Sequence, residues 1–267
     1  MKDESHKAKI ILLGSTGFLG SQLHSNLVSQ GYLVELADRS LTFLERKEPR
    51  SKLDGRKTLV ISMAWSSNRR SDYLNNPENA IWTQKHIEIA QYCIKHDYFL
   101  VVPGSCLEYG DNESNEYVKS KIQLRKFLEE NMPTDKYMWL RYFYVFSLAN
   151  RRPGLIREAL EARSQFKQFN ADNIKSRHDY IEVRDAIRQT TELINGLNYG
   201  VWDIGTGTTR SNLDLLSRIK NLNFIEKVNV ESTNRPRIVW EGSAKKLILN
   251  HTQFTSHTSE FFGTLES

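Results

Sequence analysis

Residues 9–20 read "KIILLGSTGFLG". The apolar run from Ile10 to Leu13 is too short for a helix, is flanked by Lys9 and Gly14, and reads as a buried strand. After it, Gly14, Gly17 and Gly20 recur at a spacing of three, and "FLGSQLHSNLVSQ" carries helical periodicity to a glycine stop at Gly31. The order is therefore strand, glycine turn, helix. Without Cβ atoms such a turn can be tight and can bring backbone close to a pyrophosphate, while the helix N-terminus offers N–H groups and a positive dipole end. Gly14, Thr16, Gly17, Phe18, Leu19 and Gly20 are the expected dinucleotide-binding residues of this turn.

Outward from the turn, apolar strands alternate with helices. "YLVELAD" (32–38) and "KTLVISMAW" (57–65) read as strands, "NAIWTQKHIEIAQYCIKH" (79–96) as a helix and "YFLVVPGS" (98–105) as a strand. Such alternation implies right-handed β-α-β units and a parallel sheet. The polar interval from Ser40 to Lys57 holds no recognisable full strand and helix. Beyond "YMWLRYFYVFS" (137–147) the pattern loosens into a basic loop "NRRPG" (150–154), a helix to about Arg163, a short strand "HDYIEV" (178–183), another helix and "YGVWDIGTG" (199–207). Residues 1–148 are expected to form mainly the nucleotide-binding domain, and 149–267 mainly a substrate lobe with segments returning to the first sheet.

Asp38 ends the second strand, where a carboxylate can accept hydrogen bonds from an adenosine ribose and disfavour a 2′-phosphate. Arg39 acts in the opposite sense, because a guanidinium there can pair with that phosphate. NAD and NADP both remain open.

The composition is that of a water-exposed globular protein, with 39% hydrophobic and 26% charged residues in 267. The start "MKDESHKAK" lacks an apolar leader core and no stretch approaches ~18 consecutive apolar residues, so a cytoplasmic protein with no membrane partner is expected. Cys93 and Cys106 are the only cysteines, and without metal-ligand spacing they are expected as reduced thiols, with no metal. The formal net charge of +5 suits an anionic partner, yet the basic residues are dispersed, which fits a phosphorylated small molecule and argues against nucleic acid.

Tyr117 and Lys121 in "EYVKSK" (116–121) are four residues apart, which on a helix places both on one face about one turn apart. An ammonium there can lower a phenol's pKa, although the spacing alone is also that of an ordinary surface pair. The wider context is more specific. With the glycine turn, "ISMAW" (61–65), "NAIWT" (79–83), "GSCLEYG" (104–110), "LRYFYVFS" (140–147), "RHDYIEVRDAI" (177–187), "WDIGTG" (202–207) and "WEGSAKKLI" (240–248), the chain resembles the extended short-chain dehydrogenase/reductase family, the nucleotide-sugar epimerases, dehydratases and ketoreductases.

That resemblance implies an α/β fold, a Rossmann-type doubly wound parallel sheet with a smaller interleaved C-terminal substrate lobe. It implies Ser105, Tyr117 and Lys121 as the catalytic triad: Tyr117 exchanges the proton of a sugar hydroxyl or carbonyl, Ser105 hydrogen-bonds the same oxygen, and Lys121 tunes the tyrosine and holds the nicotinamide ribose. Ala64, Trp65 and Asn79 are implied as further cofactor contacts, and Tyr144, Arg177 and Arg235 as substrate contacts beside Ser105. A nucleotide-sugar substrate and a homodimer are likewise implied. There are departures. The family's dehydratases carry Asp-Glu after the serine, whereas Cys106 and Leu107 stand here and can perform no such proton transfer. The family's substrate-contacting Asn is replaced by Tyr144, and His178 separates Arg177 from Asp179. The expected activity is reduction of a nucleotide-linked 4-keto-6-deoxyhexose. The alternatives are a 4-epimerase that retains its NAD and a non-catalytic NAD(P) sensor.

Overall fold

The structure is a computed structural model and describes residues 8–45, 57–65, 73–110, 115–147, 154–171, 173–226 and 258–259. It divides into two compact units, Met1–Arg141 with Thr190–Trp202, and Tyr142–Gln189 with Asp203–Ser267.

The first unit opens with β1 (Lys9–Leu13), α1 (Phe18–Ser29), β2 (Leu33–Ala37), β3 (Thr58–Ser62), α2 (Glu78–His96), β4 (Phe99–Ser105), α3 (Glu116–Asn131) and β5 (Tyr137–Tyr142). With β10 (Gly200–Ile204), the strands make one sheet in the order β10-β5-β4-β3-β1-β2. It is a six-stranded parallel sheet with flanking helices, a Rossmann-like α/β fold. From β1 the chain steps one way to β2 and then back across β1 to β3 and β4. Right-handed crossovers therefore send α1 to one face and α2 to the other.

Ile10, Ile11, Leu12, Leu13, Val60, Ile61, Leu100, Val101 and Val102 are all at most 1% exposed, which is why these strands read as continuous apolar runs instead of alternating. Leu13 pairs in register with both Ala37 and Ser62, so Gly14, Asp38 and Met63 leave the sheet along one edge, at the point where the strand order reverses. Crevices at such reversals are where open α/β sheets take ligands.

The polar interval after Ser40 shows a single 3-10 turn, Thr42–Glu45, among its described residues; β2 pairs only with β1 in the described sheet. The helix stop near Gly31 is supplied by a turn in which Gly31 takes a positive φ of 82°. At α2, Asp97 provides the left-handed cap at φ 58°, and Lys95 and His96 complement the dipole in the last turn.

The second unit contains β6 (Tyr144–Phe146), α4 (Leu155–Ser164), β7 (Phe169–Ala171), β8 (Arg177–His178), β9 (Tyr180–Glu182), α6 (Asn212–Ser217) and, in two-stranded pairs with β8 and β7, β11 (Arg210–Ser211) and β12 (Phe224–Glu226). Helix α5 (Val183–Asn195) begins in this unit and ends in the first. Its core gathers Ile156, Ala159, Ala171, Ile174, Tyr180, Leu215, Leu216 and Ile219. The expected strand over 178–183 is interrupted, because buried Asp179 leaves the strand to accept hydrogen bonds from the backbone N–H groups of Thr206 (2.9 Å) and Gly207 (2.8 Å). Arg235 and the "WEGSAKKLI" segment lie outside the described residues.

Candidate functional site

The glycine turn is built by backbone contact. Gly14 has φ +79°, and a Cβ there would lie 2.6 Å from the Ala64 backbone nitrogen, so the turn closes directly against the residue that follows β3. A Cβ at Gly20 would drive into the Gly14 carbonyl. Gly17 differs: it is exposed, and its Cβ would approach only the Gly14 oxygen, at 3.2 Å. Folding thus demands glycine at positions 14 and 20, while at 17 the missing Cβ leaves an open approach to backbone. Gly17 is also the N-cap of α1; no side chain caps the helix and no acidic residue occupies its first turn. This is the cradle that a pyrophosphate fits, on the positive end of a helix.

At the end of β2, the Asp38 Oδ1 accepts hydrogen bonds from the Ser40 N–H (3.1 Å) and hydroxyl (2.6 Å). Arg39 stands over the Trp82 ring at 5.6 Å, and Lys85 of α2 stands over the same ring at 5.1 Å while donating to the Arg39 carbonyl at 2.9 Å. Lys85 is a cation that the sequence reading missed. Its only signal was its position one helical turn after Trp82.

Further along the same edge, Asn115 caps α3 by accepting from the Val118 N–H at 2.9 Å, and this start places Tyr117 in the first turn and Lys121 one turn later. The Ser105 and Tyr117 hydroxyls are hydrogen-bonded to each other, and Ser105 Oγ also accepts the Leu107 N–H at 3.2 Å. Lys121 is only 2% exposed; its Nζ donates to the Pro103 carbonyl at 2.7 Å and lies 3.3 Å from the centre of the Trp65 ring. Trp65 in turn donates from Nε1 to Asn79 Oδ1 at 2.8 Å, and Asn79 donates to the Tyr73 carbonyl at 2.8 Å. Ala64, Trp65, Asn79, Ser105, Tyr117 and Lys121, scattered over 58 positions of sequence, thus converge beside the glycine turn.

Burial sets the electrostatics. It lowers the Lys121 ammonium from 10.5 to about 7, against the upward pull of Glu108. Burial also raises Tyr117, with Tyr73 adding to the rise and the Ser105 hydrogen bond only partly opposing it. The expectation that Lys121 depresses the phenol is thus outweighed by desolvation in the protein alone, and Tyr117 stays protonated. His86, fully buried, falls to about 3 through burial and then the Lys121 charge. Its Nδ1 sits 2.8 Å from the Trp82 carbonyl, which can only accept, so Nδ1 carries the proton and Nε2 accepts from the Ser62 hydroxyl at 2.9 Å.

Of the predicted substrate residues, Ser105 belongs to the first unit, and Tyr144 and Arg177 to the second. Tyr144 stacks on His178 with ring centres 4.0 Å apart, and Arg177 is exposed and donates from Nη2 to the Thr209 carbonyl at 2.9 Å. Burial lowers His178 to about 4, so it is a neutral, packed ring at neutral pH. Among the described residues, no group of three or more His, Cys, Asp or Glu side chains could hold a metal, and no helix is long and apolar enough to cross a membrane.

No protein-family model and no curated protein sequence matches the chain. Its fold does match solved structures. A UDP-N-acetylglucosamine 4-epimerase from Methanobrevibacter ruminantium M1, in complex with UDP-N-acetylmuramic acid, is 16% identical with a TM-score of 0.68, covering 97% of this chain and 96% of that one. MoeE5 in complex with UDP-glucose and NAD is 18% identical with a TM-score of 0.68, over 93% and 92% of the two chains. TunA, an NAD-dependent NDP-hexosamine 5,6-dehydratase of tunicamycin biosynthesis, is 17% identical with a TM-score of 0.60, over 83% and 84%.

Proposed function

We propose that this chain is a nicotinamide-dinucleotide-dependent enzyme of the extended short-chain dehydrogenase/reductase type acting on a nucleotide-linked sugar, and that it epimerises the sugar at C4. The observation that carries the reading is the hydrogen-bonded Ser105–Tyr117 pair with Lys121 one helical turn away, beside an uncapped glycine turn. The likeness in fold to 4-epimerases supports C4 chemistry. Cys106 and Leu107, which carry no carboxylate, weigh against water elimination.

The residues present fit the dinucleotide. Gly14, Gly17 and Gly20 would receive the pyrophosphate, Asp38 and Arg39 would face the adenosine ribose, and Lys121 with Tyr117 would hold the nicotinamide ribose. When bound, the nicotinamide supplies the acceptor and donor of hydride. The chain's part is the proton. Burial holds Tyr117 as a phenol, loaded to protonate a keto oxygen. Ser105, hydrogen-bonded to that phenol, shares the same oxygen. When Tyr117 takes a proton from a sugar hydroxyl it must first be a phenolate, and the Lys121 ammonium is the group placed to stabilise it. Tyr144, Arg177 and Arg235 are proposed to meet the sugar nucleotide.

A second reading is favoured by Lys85. Two cations, Arg39 and Lys85, gather beside Trp82 at the end of β2, where the adenosine ribose is proposed to lie, which suits a 2′-phosphate and hence an NADPH-consuming ketoreductase.

The test is incubation of the purified protein with UDP-glucose, UDP-N-acetylglucosamine and a dTDP-4-keto-6-deoxyhexose, with products read by NMR and nicotinamide by absorbance. An epimerase inverts C4 with no net change in absorbance. A ketoreductase consumes reduced dinucleotide in proportion to product. Dinucleotide binding without turnover on any sugar would instead support the sensor. Light scattering in the same preparation tests the proposed homodimer.

A further inference from the structure

One carboxylate near the triad has no part in the chemistry above. Glu108, in the turn after β4, is 8% exposed, and every group that touches it is a donor. Oε1 accepts the Ser105 N–H at 2.7 Å and Oε2 accepts the Arg125 Nε–H at 3.2 Å. The Trp139 indole N–H lies 3.1 Å from both oxygens. The space for that indole is reserved by Gly104, where a Cβ would collide with Trp139 Nε1 and come within 2.7 Å of Glu108 Oε1. A neutral acid would need an acceptor for its proton, and these three partners offer none, so the surroundings are built for the anion.

The same anion acts electrostatically on Lys121. Arg125 follows Lys121 by one helical turn, so both reach the end of β4 from one face of α3. Lys121 Nζ binds the Pro103 carbonyl and Glu108 binds the Ser105 N–H, two residues further along the strand.

Building on the dinucleotide-dependent reading of the site, we propose that Glu108 is a positioning residue: the fixed negative charge that favours the ammonium form of Lys121, held in place by Ser105, Trp139 and Arg125. Burial alone would neutralise the amine, and no other carboxylate acts on it in the described site. The other ionisable groups around the pair are His86 of α2 and Tyr117 of α3, which face Lys121, Arg125 of α3, which faces Glu108, and Tyr73 and Cys106, which act on Tyr117; Glu129 is engaged by Arg125 Nη1 at 2.6 Å. Of the groups around the pair only Arg125 is charged near neutrality, since His86 has fallen to about 3 and Tyr117 stays protonated, so loss of Glu108 leaves the ammonium with no anion acting on it. Burial raises the Glu108 carboxyl, and its donors, with the Arg125 and Lys121 charges, oppose that rise.

The test is a pH titration of the full-length protein labelled with 13C at lysine Cε, Lys121 being assigned from the spectrum of Lys121→Arg. In Glu108→Gln the Lys121 midpoint should fall by about one pH unit or more. Coupling is reciprocal, so in Lys121→Met the 13C-labelled Glu108 carboxyl should titrate higher by a comparable amount. This second variant decides the matter if Glu108→Gln does not fold. NADH affinity, followed by fluorescence, should decline with rising pH at a lower pH in Glu108→Gln than in wild type and should recover in acid, which a merely structural defect would not do. An unmoved midpoint in either folded variant overturns the proposal. If wild type binds no NADH at any pH, the dinucleotide reading fails, while the two titrations still decide the role of Glu108.

Discussion

The Lys121 ammonium nitrogen sits 3.3 Å from the centre of the Trp65 indole. A buried cation on an aromatic face gains about 2 kcal/mol or more, part of what desolvation costs it. A ribose that comes to hydrogen-bond Lys121 must therefore share it with the indole or shift the ring. Dinucleotide binding is expected to change Trp65 fluorescence, and titration of wild type against Trp65→Phe checks it. An identical signal in both would place the ligand elsewhere.

Tyr117→Phe removes one hydroxyl and leaves Trp65 and Tyr73 their ring contacts. Single-turnover rates on a sugar nucleotide should fall ~100-fold or more, as for loss of a general acid. Dinucleotide affinity should fall far less, by the loss of one hydroxyl contact to the nicotinamide ribose while Lys121 keeps its own. Rates equal to wild type on a confirmed substrate would remove Tyr117 from the chemistry.

The glycines should separate by function. Gly14→Ala combines a left-handed φ with a collision against Ala64 and should destabilise the fold by more than ~2 kcal/mol, read in denaturant melts. Gly17→Val meets no such barrier from φ, −78° at this cap, and should leave a folded protein that no longer binds NADH. Full NADH affinity in folded Gly17→Val would falsify the pyrophosphate assignment.

Cofactor preference should follow charge at the end of β2. Arg39→Ala and Lys85→Ala should each weaken NADP more than NAD, because a 2′-phosphate loses a cation it could pair with. Asp38→Ala should act in reverse. The ratio of the two dissociation constants is the measurement, and a ratio indifferent to all three changes would move the ribose pocket away from this edge.

His86 predicts an acid limb in stability. Its ordinary value of 6.5 falls to about 3 in the folded chain, so between these values the unfolded chain binds a proton that the folded chain does not. Stability therefore rises with pH across that window and is lost on acidification. His86→Gln should cost ~1 to 3 kcal/mol at neutral pH, through its buried hydrogen bonds, and should flatten the dependence of melting temperature on pH in the acid range.

Features that depend only on neighbours in the chain were legible without the fold. The run Ile10–Leu13, the glycine spacing and the periodicity of α1 are local, and they carry the strand–turn–helix that opens the sheet. The four-residue interval of Tyr117 and Lys121 is likewise local and places them on one face of α3. The motif resemblance brought Ser105 to the same list. The tertiary structure alone decided what each group experiences. Trp139 lies 31 residues beyond Glu108, yet its indole N–H is one of the donors that satisfy a buried carboxylate there; in sequence Glu108 is one more acid in a turn. Lys85 meets Arg39 across 46 residues. Lys121 reads as an ordinary surface lysine until Trp65 covers it, and the phenol that charge spacing predicts to be acidic is held protonated by burial. Desolvation is a sum over atoms brought close by the fold, and no periodicity in the chain records it.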